Sequence, residues 1–359
     1  MYRSIISGSG AYIPEHIVNN SDFFSNAFYS EGGDPVGNTS DRVVEKFSNI
    51  TGILQRRYAT DGLRTSHMAA RAAESALADS GMNKESLDHI IVAHNFGDLG
   101  ENMPFPDIVP SLASRVKRLL NIANPACIPY DLIFGCPGWL QGVIHADAFF
   151  KAGIGKSALI IGAETLSRVL DPHDRDSMIF SDGAGAITLE YKEVHDPLTG
   201  ILSTNVRADS REECGFIYMG TSFNPEKMSN AQYLKMKGRK VYDYALRHVP
   251  AAMKECLDKS GQAIDNLKAI FIHQANEKMD EAIVRDFYGL YGFPEPPVNT
   301  MPMCIQWLGN SSVATIPTLF DLVRRSSVPG YSLEKGDIIL FASVGAGMNI
   351  NAVCYGYAG

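Results

Sequence analysis

Residues 131–139, DLIFGCPGW, place a cysteine between an apolar strand and a helix. Pro137 suits the first helical position, where its missing N–H would have no intrahelical partner. The helix is predicted to run to Lys151 and to close near Gly153. Cys136 then lies at the helix N-terminus, where unpaired N–H groups and the positive end of the dipole favour a thiolate over a thiol. This position makes Cys136 a candidate nucleophile.

Short apolar runs recur on both sides of this stretch, at residues 90–93, 158–161, 269–272 and 338–341. They are too short for helices and too apolar for strands with one wet face, so they predict central strands covered on both faces. Helical patterns lie between them, at residues 65–80, 242–259, 278–287 and 319–325. This alternation predicts a layered α/β architecture. A polar, turn-rich segment at 191–200 indicates a boundary between two halves.

Composition limits the kind of protein. The chain has 359 residues, 45% of them apolar, and a net charge of −8, which argues against a general nucleic-acid footprint. No apolar run approaches the roughly 20 residues that span a bilayer. Six cysteines lie scattered without CxxC pairs, which predicts reduced thiols in the cytoplasm and neither a disulfide framework nor a zinc site. Apart from Cys136, they are interpreted as small buried hydrophobes.

Two further motifs offer partners for the cysteine. FIHQAN, residues 271–276, puts His273 at the end of an apolar strand, where side chains reach a crevice at the sheet edge. LGNSS, residues 308–312, puts Asn310 in a turn before a helix. Taken singly, most such histidines are structural, and such an asparagine is an ordinary turn or cap residue. The significance lies in their combination.

The order, spacing and flanking sequences of Cys136, His273 and Asn310 resemble those of the 3-oxoacyl-(acyl-carrier-protein) synthase III family of the thiolase-like superfamily. That family has a Cys heading a helix, then His-Gln-Ala-Asn, then Gly-Asn-[Ser/Thr]-Ser before an apolar helix. The resemblance runs from about Ile5 to Tyr357. Supporting text lies at 51–57 (TGILQRR), 171–175 (DPHDR), 182–186 (DGAGA) and 345–347 (GAG).

The resemblance implies a thiolase-like α/β fold with two related halves, residues 1–195 and 196–359, in a five-layered α-β-α-β-α arrangement, normally a homodimer. It also implies a decarboxylating Claisen condensation without a metal or other cofactor. Cys136 would accept an acyl group, while His273 and Asn310 stabilise the enolate left when a malonyl thioester loses CO₂. The carbanion would attack the acyl-cysteine and release a 3-oxoacyl thioester. The amides of Cys136 and Ala346 would form a second oxyanion hole.

Substrate contacts follow from the same resemblance. Arg175 matches an arginine that binds coenzyme A or phosphopantetheine, so thioesters of acyl-carrier protein, of coenzyme A, or of both are the expected partners. Lys278 and Arg285 match basic positions that dock the carrier protein. Phe105, with Pro106, matches a loop that reaches the acyl pocket of the partner chain.

The chain departs from the family where coenzyme A is held. Aligned on residues 51–53, the family's usual Trp and Arg fall on Lys46 and Ile50, and Asp243 replaces a docking lysine. The segment 94–106 is longer than the family's and replaces its small hydroxyl residues. These changes leave the primer open, and with it the choice between fatty-acid initiation and a specialised ketosynthase pathway. They predict that carrier-bound primers outcompete coenzyme-A primers.

Two other functions share parts of this pattern. Papain-like proteases also have the order Cys, His, Asn, but Cys136 follows some 135 residues of α/β alternation. A catalytically silent subunit of a heterodimeric synthase would have the fold but tends to lose the nucleophile, which this chain retains. Among other histidines, His145 is interpreted as packing and His94 as pocket lining.

Overall fold

The protein is described by a computed structural model over residues 1–100, 106–227 and 230–359. Thirteen strands are present in that part of the chain: β1 Tyr2–Tyr12, β2 His16–Asn19, β3 Gln55–Tyr58, β4 His89–His94, β5 Ile128–Ile133, β6 Ser157–Thr165, β7 Asp182–Glu193, β8 Gly200–Ala208, β9 Ile217–Gly220, β10 Tyr233–Met236, β11 Leu267–Ile272, β12 Ile338–Gly345 and β13 Asn349–Gly356. Eight α-helices accompany them: α1 Ser40–Thr51, α2 Thr65–Ser80, α3 Leu112–Leu119, α4 Gly138–Lys151, α5 Gly238–Ser260, α6 Glu277–Gly289, α7 Ile305–Leu308 and α8 Thr315–Arg324.

Two mixed sheets form the centre. The first has the order β1-β7-β6-β4-β5, with β4 parallel to both β5 and β6, and with β7 antiparallel to β1 and β6. The second has the order β11-β12-β13-β8, with β11 and β12 parallel and the other pairs antiparallel. The first sheet uses strands up to Glu193 and the second uses strands from Gly200 onward. This distribution is the reason we propose a division between residues 195 and 196.

The helices make three layers around the sheets. Helix α2 covers the outer face of the first sheet with α3 beside it, and α5 covers the outer face of the second with α6 beside it. Helices α4 and α8 lie between the sheets, and each contacts strands of both. The result is the predicted five-layered α-β-α-β-α arrangement, in which α4 is buried by two sheets at once.

The predicted strands are confirmed: the four apolar runs lie in β4, β6, β11 and β12, and every residue of the four runs is buried. The predicted helices are present, but α5 and α8 each begin four residues earlier than predicted, at Gly238 and Thr315. Pro137 is the N-cap of α4, and Gly138 is its first residue. This differs by one position from the expectation, within the usual uncertainty of helix ends. None of the helices in the described ranges combines the length and apolarity that crossing a membrane requires.

Candidate active site

Cys136 lies at the junction predicted for it, after β5 and two residues before α4 begins. The helix is held tightly there, because a Cβ on Gly138 would lie 3.1 Å from the side chain of Ala93 and 3.2 Å from that of Val313. The middle-layer position of α4 therefore fixes the cysteine between the two sheets.

The thiol of Cys136 is more protected than the sequence suggested. Burial raises its pKa to about 11, opposed by a hydrogen bond from Ser312, whereas the charge of Glu164 adds to the increase. Burial therefore opposes the thiolate that the helix N-terminus was expected to favour, because desolvation by tertiary packing disfavours the charged form. At neutral pH the Cys136 side chain is therefore a thiol.

Asn310 is brought to the cysteine through Ser312. The Ser312 Oγ donates to Cys136 Sγ at 3.4 Å, and the Ser312 amide donates to Asn310 Oδ1 at 2.7 Å. The Asn310 backbone is fixed on both sides: its N–H donates to Ile179 and its carbonyl accepts from Ser181. Since Oδ1 is occupied, the side-chain NH₂ of Asn310 is the group left to donate to a substrate oxygen.

His273 directly follows β11, and its main-chain N–H donates to the carbonyl of Ala342 at 2.9 Å. Gln274 ties this loop to the segment before Asn310, because its side chain accepts from the Cys304 amide and donates to Pro302. The His273 ring is buried, and Nδ1 has no partner among the described residues. Burial lowers the pKa of His273 to about 4, so the ring is neutral at pH 7. A neutral imidazole can donate to an oxyanion without adding a positive charge.

Two glycine loops meet beside the nucleophile. A Cβ on Gly345 would lie 2.6 Å from the Cys136 nitrogen, and one on Gly135 would lie 2.7 Å from the Ala346 nitrogen. Only residues without side chains permit this approach. The amides of Cys136 and Ala346 are thereby placed on adjoining loops, as an oxyanion hole built from both requires.

A cavity of about 620 Å³ opens beside this site. Its wall includes Lys46, Ile50 and Arg175, the three positions singled out for coenzyme A, together with Ala275 and Asn276 from the loop after His273. Lys46, Ile50 and Arg175 are all exposed. Arg175 stands 3.7 Å from Asp176, so part of its charge is already neutralised.

The docking positions lie on the surface. Lys278 and Arg285 are both exposed on α6, and Asp243 is exposed on α5, 3.9 Å from Arg239. Phe105, expected to reach a partner chain, lies outside the described residues.

Other candidates have structural roles. His94 does not line the pocket, because it is buried, its Nδ1 accepts from the Gly97 amide and its Nε2 donates to Asp131. His145 packs against Phe149, as expected. Cys214 is exposed, so the interpretation as a buried hydrophobe is wrong for that residue, while the other four non-catalytic cysteines are buried.

Three residues near the sulfur were missed from the sequence: Asn95, Glu164 and Ser312. Asn95 donates to both Glu164 and Ser312. The signals were weak but present, since Ser312 belongs to the quoted LGNSS motif and Asn95 to the segment that departs from the family. Glu164 is the one charged residue in the fully buried strand β6.

Comparison with known proteins places these features in a family. The family model described as 3-Oxoacyl-[acyl-carrier-protein (ACP)] synthase III matches residues 130–210, and the model of its C-terminal part matches residues 257–357. The chain is 31% identical over 350 residues to the Beta-ketoacyl-[acyl-carrier-protein] synthase III of Bradyrhizobium diazoefficiens, covering 96% of each chain. It is also 31% identical to that of Erythrobacter litoralis, covering 98% of each.

Solved structures agree. The 3-oxoacyl-[acyl-carrier-protein] synthase III of Aquifex aeolicus superposes with a TM-score of 0.80 at 27% identity, covering 99% of this chain and 100% of that one. The corresponding enzyme of Thermus thermophilus gives a TM-score of 0.80 at 28% identity, covering 99% of both chains. The thiolase-like α/β fold is thus confirmed, and a papain-like protease is excluded because the matched family spans nearly the whole chain.

Proposed function

This chain belongs to the 3-oxoacyl-[acyl-carrier-protein] synthase III family of condensing acyltransferases, and we propose that Cys136, His273 and Asn310 divide its reaction between them. The enzyme carries out a decarboxylating Claisen condensation of an enzyme-bound acyl group with a malonyl thioester. The observation that carries the proposed division is the convergence of Cys136 and Asn310 on Ser312.

In the first step, Cys136 Sγ attacks the carbonyl carbon of the primer thioester. A new S–C bond forms, the bond to the donor sulfur breaks, and the thiol proton leaves with the donor thiol. The amides of Cys136 and Ala346 stabilise the oxygen of the tetrahedral intermediate. Because the pKa of Cys136 is about 11, the proton must be removed as the S–C bond forms.

In the second step, His273 and Asn310 act on the malonyl thioester. Loss of CO₂ leaves the bonding electron pair on the thioester as an enolate, whose oxygen accepts from the neutral imidazole and from the amide NH₂. The enolate carbon then attacks the acyl-cysteine, and Cys136 departs as a thiolate. The lowered pKa of His273 keeps this donor uncharged at neutral pH, so it stabilises the enolate oxygen through a hydrogen bond alone.

The test separates the two half-reactions. His273→Ala and Asn310→Ala should each reduce malonyl decarboxylation by about 10²-fold or more, as removal of an oxyanion donor typically does. Acyl loading on Cys136 should survive better in Asn310→Ala. Cys214→Ala, which removes an exposed cysteine, is the matched control and should retain activity. Equal losses of both half-reactions in Asn310→Ala would refute the division, and absence of acyl transfer in the wild type would favour a silent subunit.

We further propose that the primer arrives on acyl-carrier protein in preference to coenzyme A. Ile50 is 47% exposed at the cavity and cannot bind a phosphate, and Lys46 offers a point charge in place of a stacking surface. Lys278 and Arg285 supply a local basic surface for an acidic carrier. The pathway, whether fatty-acid initiation or a specialised one, follows from the primer that loads.

A homodimer formed through β5 is the assembly we propose. β5 is one of the two edge strands of its sheet, and its terminal residues Ile128 and Ile133 are 51% and 68% exposed. An edge strand offers free N–H and C=O groups to a second strand, and a two-fold axis would pair β5 with its copy. Light scattering should give a dimer for the wild type and a smaller species for Ile133→Lys; a wild-type monomer would contradict this.

The six free thiols support the proposed cytoplasmic location.

A further inference from the structure

A buried carboxyl group anchors a hydrogen-bond chain that ends on the nucleophilic sulfur. Glu164 lies near the end of β6 and is only 1% exposed. Its Oε1 accepts from the main-chain N–H of Asn95 at 2.8 Å and from the side-chain amide of the same residue. With Glu164 ionised, the NH₂ of that amide faces the carboxylate, because turning the amide over would place its oxygen against the carboxylate oxygen.

The hydrogen bonds continue from Asn95 through Ser312 to the sulfur of Cys136. Asn95 Nδ2 also donates to Ser312 Oγ at 3.1 Å, and Ser312 Oγ lies 3.4 Å from Cys136 Sγ. Because the Ser312 oxygen already accepts from Asn95, its own hydrogen is left for the sulfur. The contact is thus a donor directed at the position where negative charge develops.

The backbone of Ser312 adds an independent observation. Its φ is +53°, in the left-handed region that a residue with a side chain seldom adopts. The residue is 3% exposed, and its amide is held by Asn310. Unfavourable backbone conformations of this kind persist where the surroundings enforce them, often at reactive sites.

We propose that Ser312 is a catalytic hydrogen-bond donor that stabilises Cys136 as a thiolate, and that Asn95 and Glu164 are the positioning residues that direct its hydroxyl proton to the sulfur. The inference rests on the proposed role of Cys136 as nucleophile. The donor acts twice, when the sulfur attacks the primer and when it leaves the acyl group during condensation. Hydrogen bonds to a charged partner are about twice as strong as neutral ones, so this contact strengthens as charge accumulates on sulfur.

The negative charge of Glu164 works against the hydrogen bond from Ser312, and this opposition determines which variants serve as controls. Glu164 is the charged group that acts on Cys136, and its charge raises the pKa of the thiol. Burial raises the pKa of Glu164 itself to about 7, so the group is partly ionised near neutrality. The His273 ring is neutral above pH 4 and contributes no charge there. Glu164 thus acts against the thiolate by charge and in favour of it by position.

The first arm of the test measures alkylation of Cys136 by iodoacetamide from pH 7 to 11, quantified on the Cys136 peptide by mass spectrometry. Ser312→Ala should be about tenfold slower at pH 8, equivalent to a rise of about one unit in the thiol pKa. Ser312→Gly should show the same shift, although glycine adopts φ +53° without strain and preserves the fold. The matched control is Ser311→Ala, because the hydroxyl of Ser311 contacts Thr315.

The second arm isolates the positioning residues. Glu164→Gln and Glu164→Ala both remove the charge, but only Gln can still accept from Asn95. Alkylation of Cys136 should therefore be several-fold faster in Glu164→Gln than in Glu164→Ala. In Asn95→Ala, alkylation should be slower than in the wild type. Wild-type rates in both Ser312 variants, or equal rates in the two Glu164 variants, would overturn the inference. Alkylation of Cys136 can be measured without any condensation reaction. If the proposed function is wrong but this inference is right, the variants will still show the expected differences in alkylation rate, and the wild type will show no acyl transfer.

Discussion

Gly345 and Cys136 are in direct backbone contact: a Cβ on Gly345 would lie 2.6 Å from the Cys136 nitrogen and 3.0 Å from its Cβ. Gly345 has φ −167°, an extended conformation open to any residue, so the requirement for glycine is spatial. The loop after β12 can therefore approach the nucleophile only if position 345 has no side chain.

Gly345→Ala should reduce acyl loading of Cys136 by about 10²-fold, the usual effect of losing one oxyanion donor. The added methyl group displaces either the Cys136 amide or the Ala346 loop. Loading rates should be compared with those of Gly215→Ala, where an added Cβ meets nothing within 4 Å. Loading at the wild-type rate in Gly345→Ala would show that these amides are not the oxyanion hole.

Malonyl decarboxylation should not depend on His273 titration between pH 5 and pH 8. Burial lowers the pKa of His273 to about 4, so the neutral donor predominates above that value and is lost as the pH falls through it. The assay uses Cys136→Ala, which cannot load primer, so that only the malonyl step is followed. A half-maximal loss near pH 6.5 would indicate an ordinary solvated histidine.

Coenzyme-A primers should become better donors when the missing contacts are restored. Base stacking is worth roughly 1–3 kcal/mol and a hydrogen bond to a charged group about 1.5–3 kcal/mol. Lys46→Trp combined with Ile50→Arg should therefore lower KM for acyl-coenzyme A by about 10²-fold.

Loading from the matched acyl-carrier protein should change little in that variant and should weaken with added salt. Lys278→Glu is the complementary control, because it should affect only the carrier reaction. Faster, salt-independent loading of the wild type from coenzyme A would contradict the proposed preference.

Asp280 should cost stability at neutral and alkaline pH. The residue is fully buried on α6, and neither carboxyl oxygen has a well-formed hydrogen bond among the described residues. Burial raises its pKa well above the usual value, and the amides of Asn276 and Ala275 only partly oppose this. Folding must therefore keep the group protonated, at a cost that is small below its unfolded pKa of about 4 and grows as the pH rises.

Thermal unfolding of Asp280→Asn tests this. The variant should raise Tm more at pH 8 than at pH 4, because the amide carries no charge at either pH. Asp286→Asn, on the exposed side of the same helix, serves as the control. A gain that is independent of pH, or a loss at pH 8, would argue against a buried neutral carboxyl group.

The strands could be predicted, and the three candidate catalytic positions proposed, because their sequence signals are local. The apolar run directly before His273 and the proline after Cys136 are each recognised within a few consecutive residues. The contact between Asn95 and Ser312 spans 217 positions and depends on how β4 and α8 are brought to one point. The raised pKa of Cys136 is equally non-local, because desolvation depends on the two sheets that enclose α4.

In the proposed reaction, Cys136 carries the acyl group between the donor and the malonyl thioester. The most direct measurement is peptide mass spectrometry of the enzyme after incubation with an acyl-carrier thioester, followed by a chase with malonyl-carrier protein. We expect one acyl group on the Cys136 peptide, which the chase removes from the wild type but not from His273→Ala. An acyl group on another cysteine, or one on Cys136 that malonyl-carrier protein does not remove from the wild type, would contradict it.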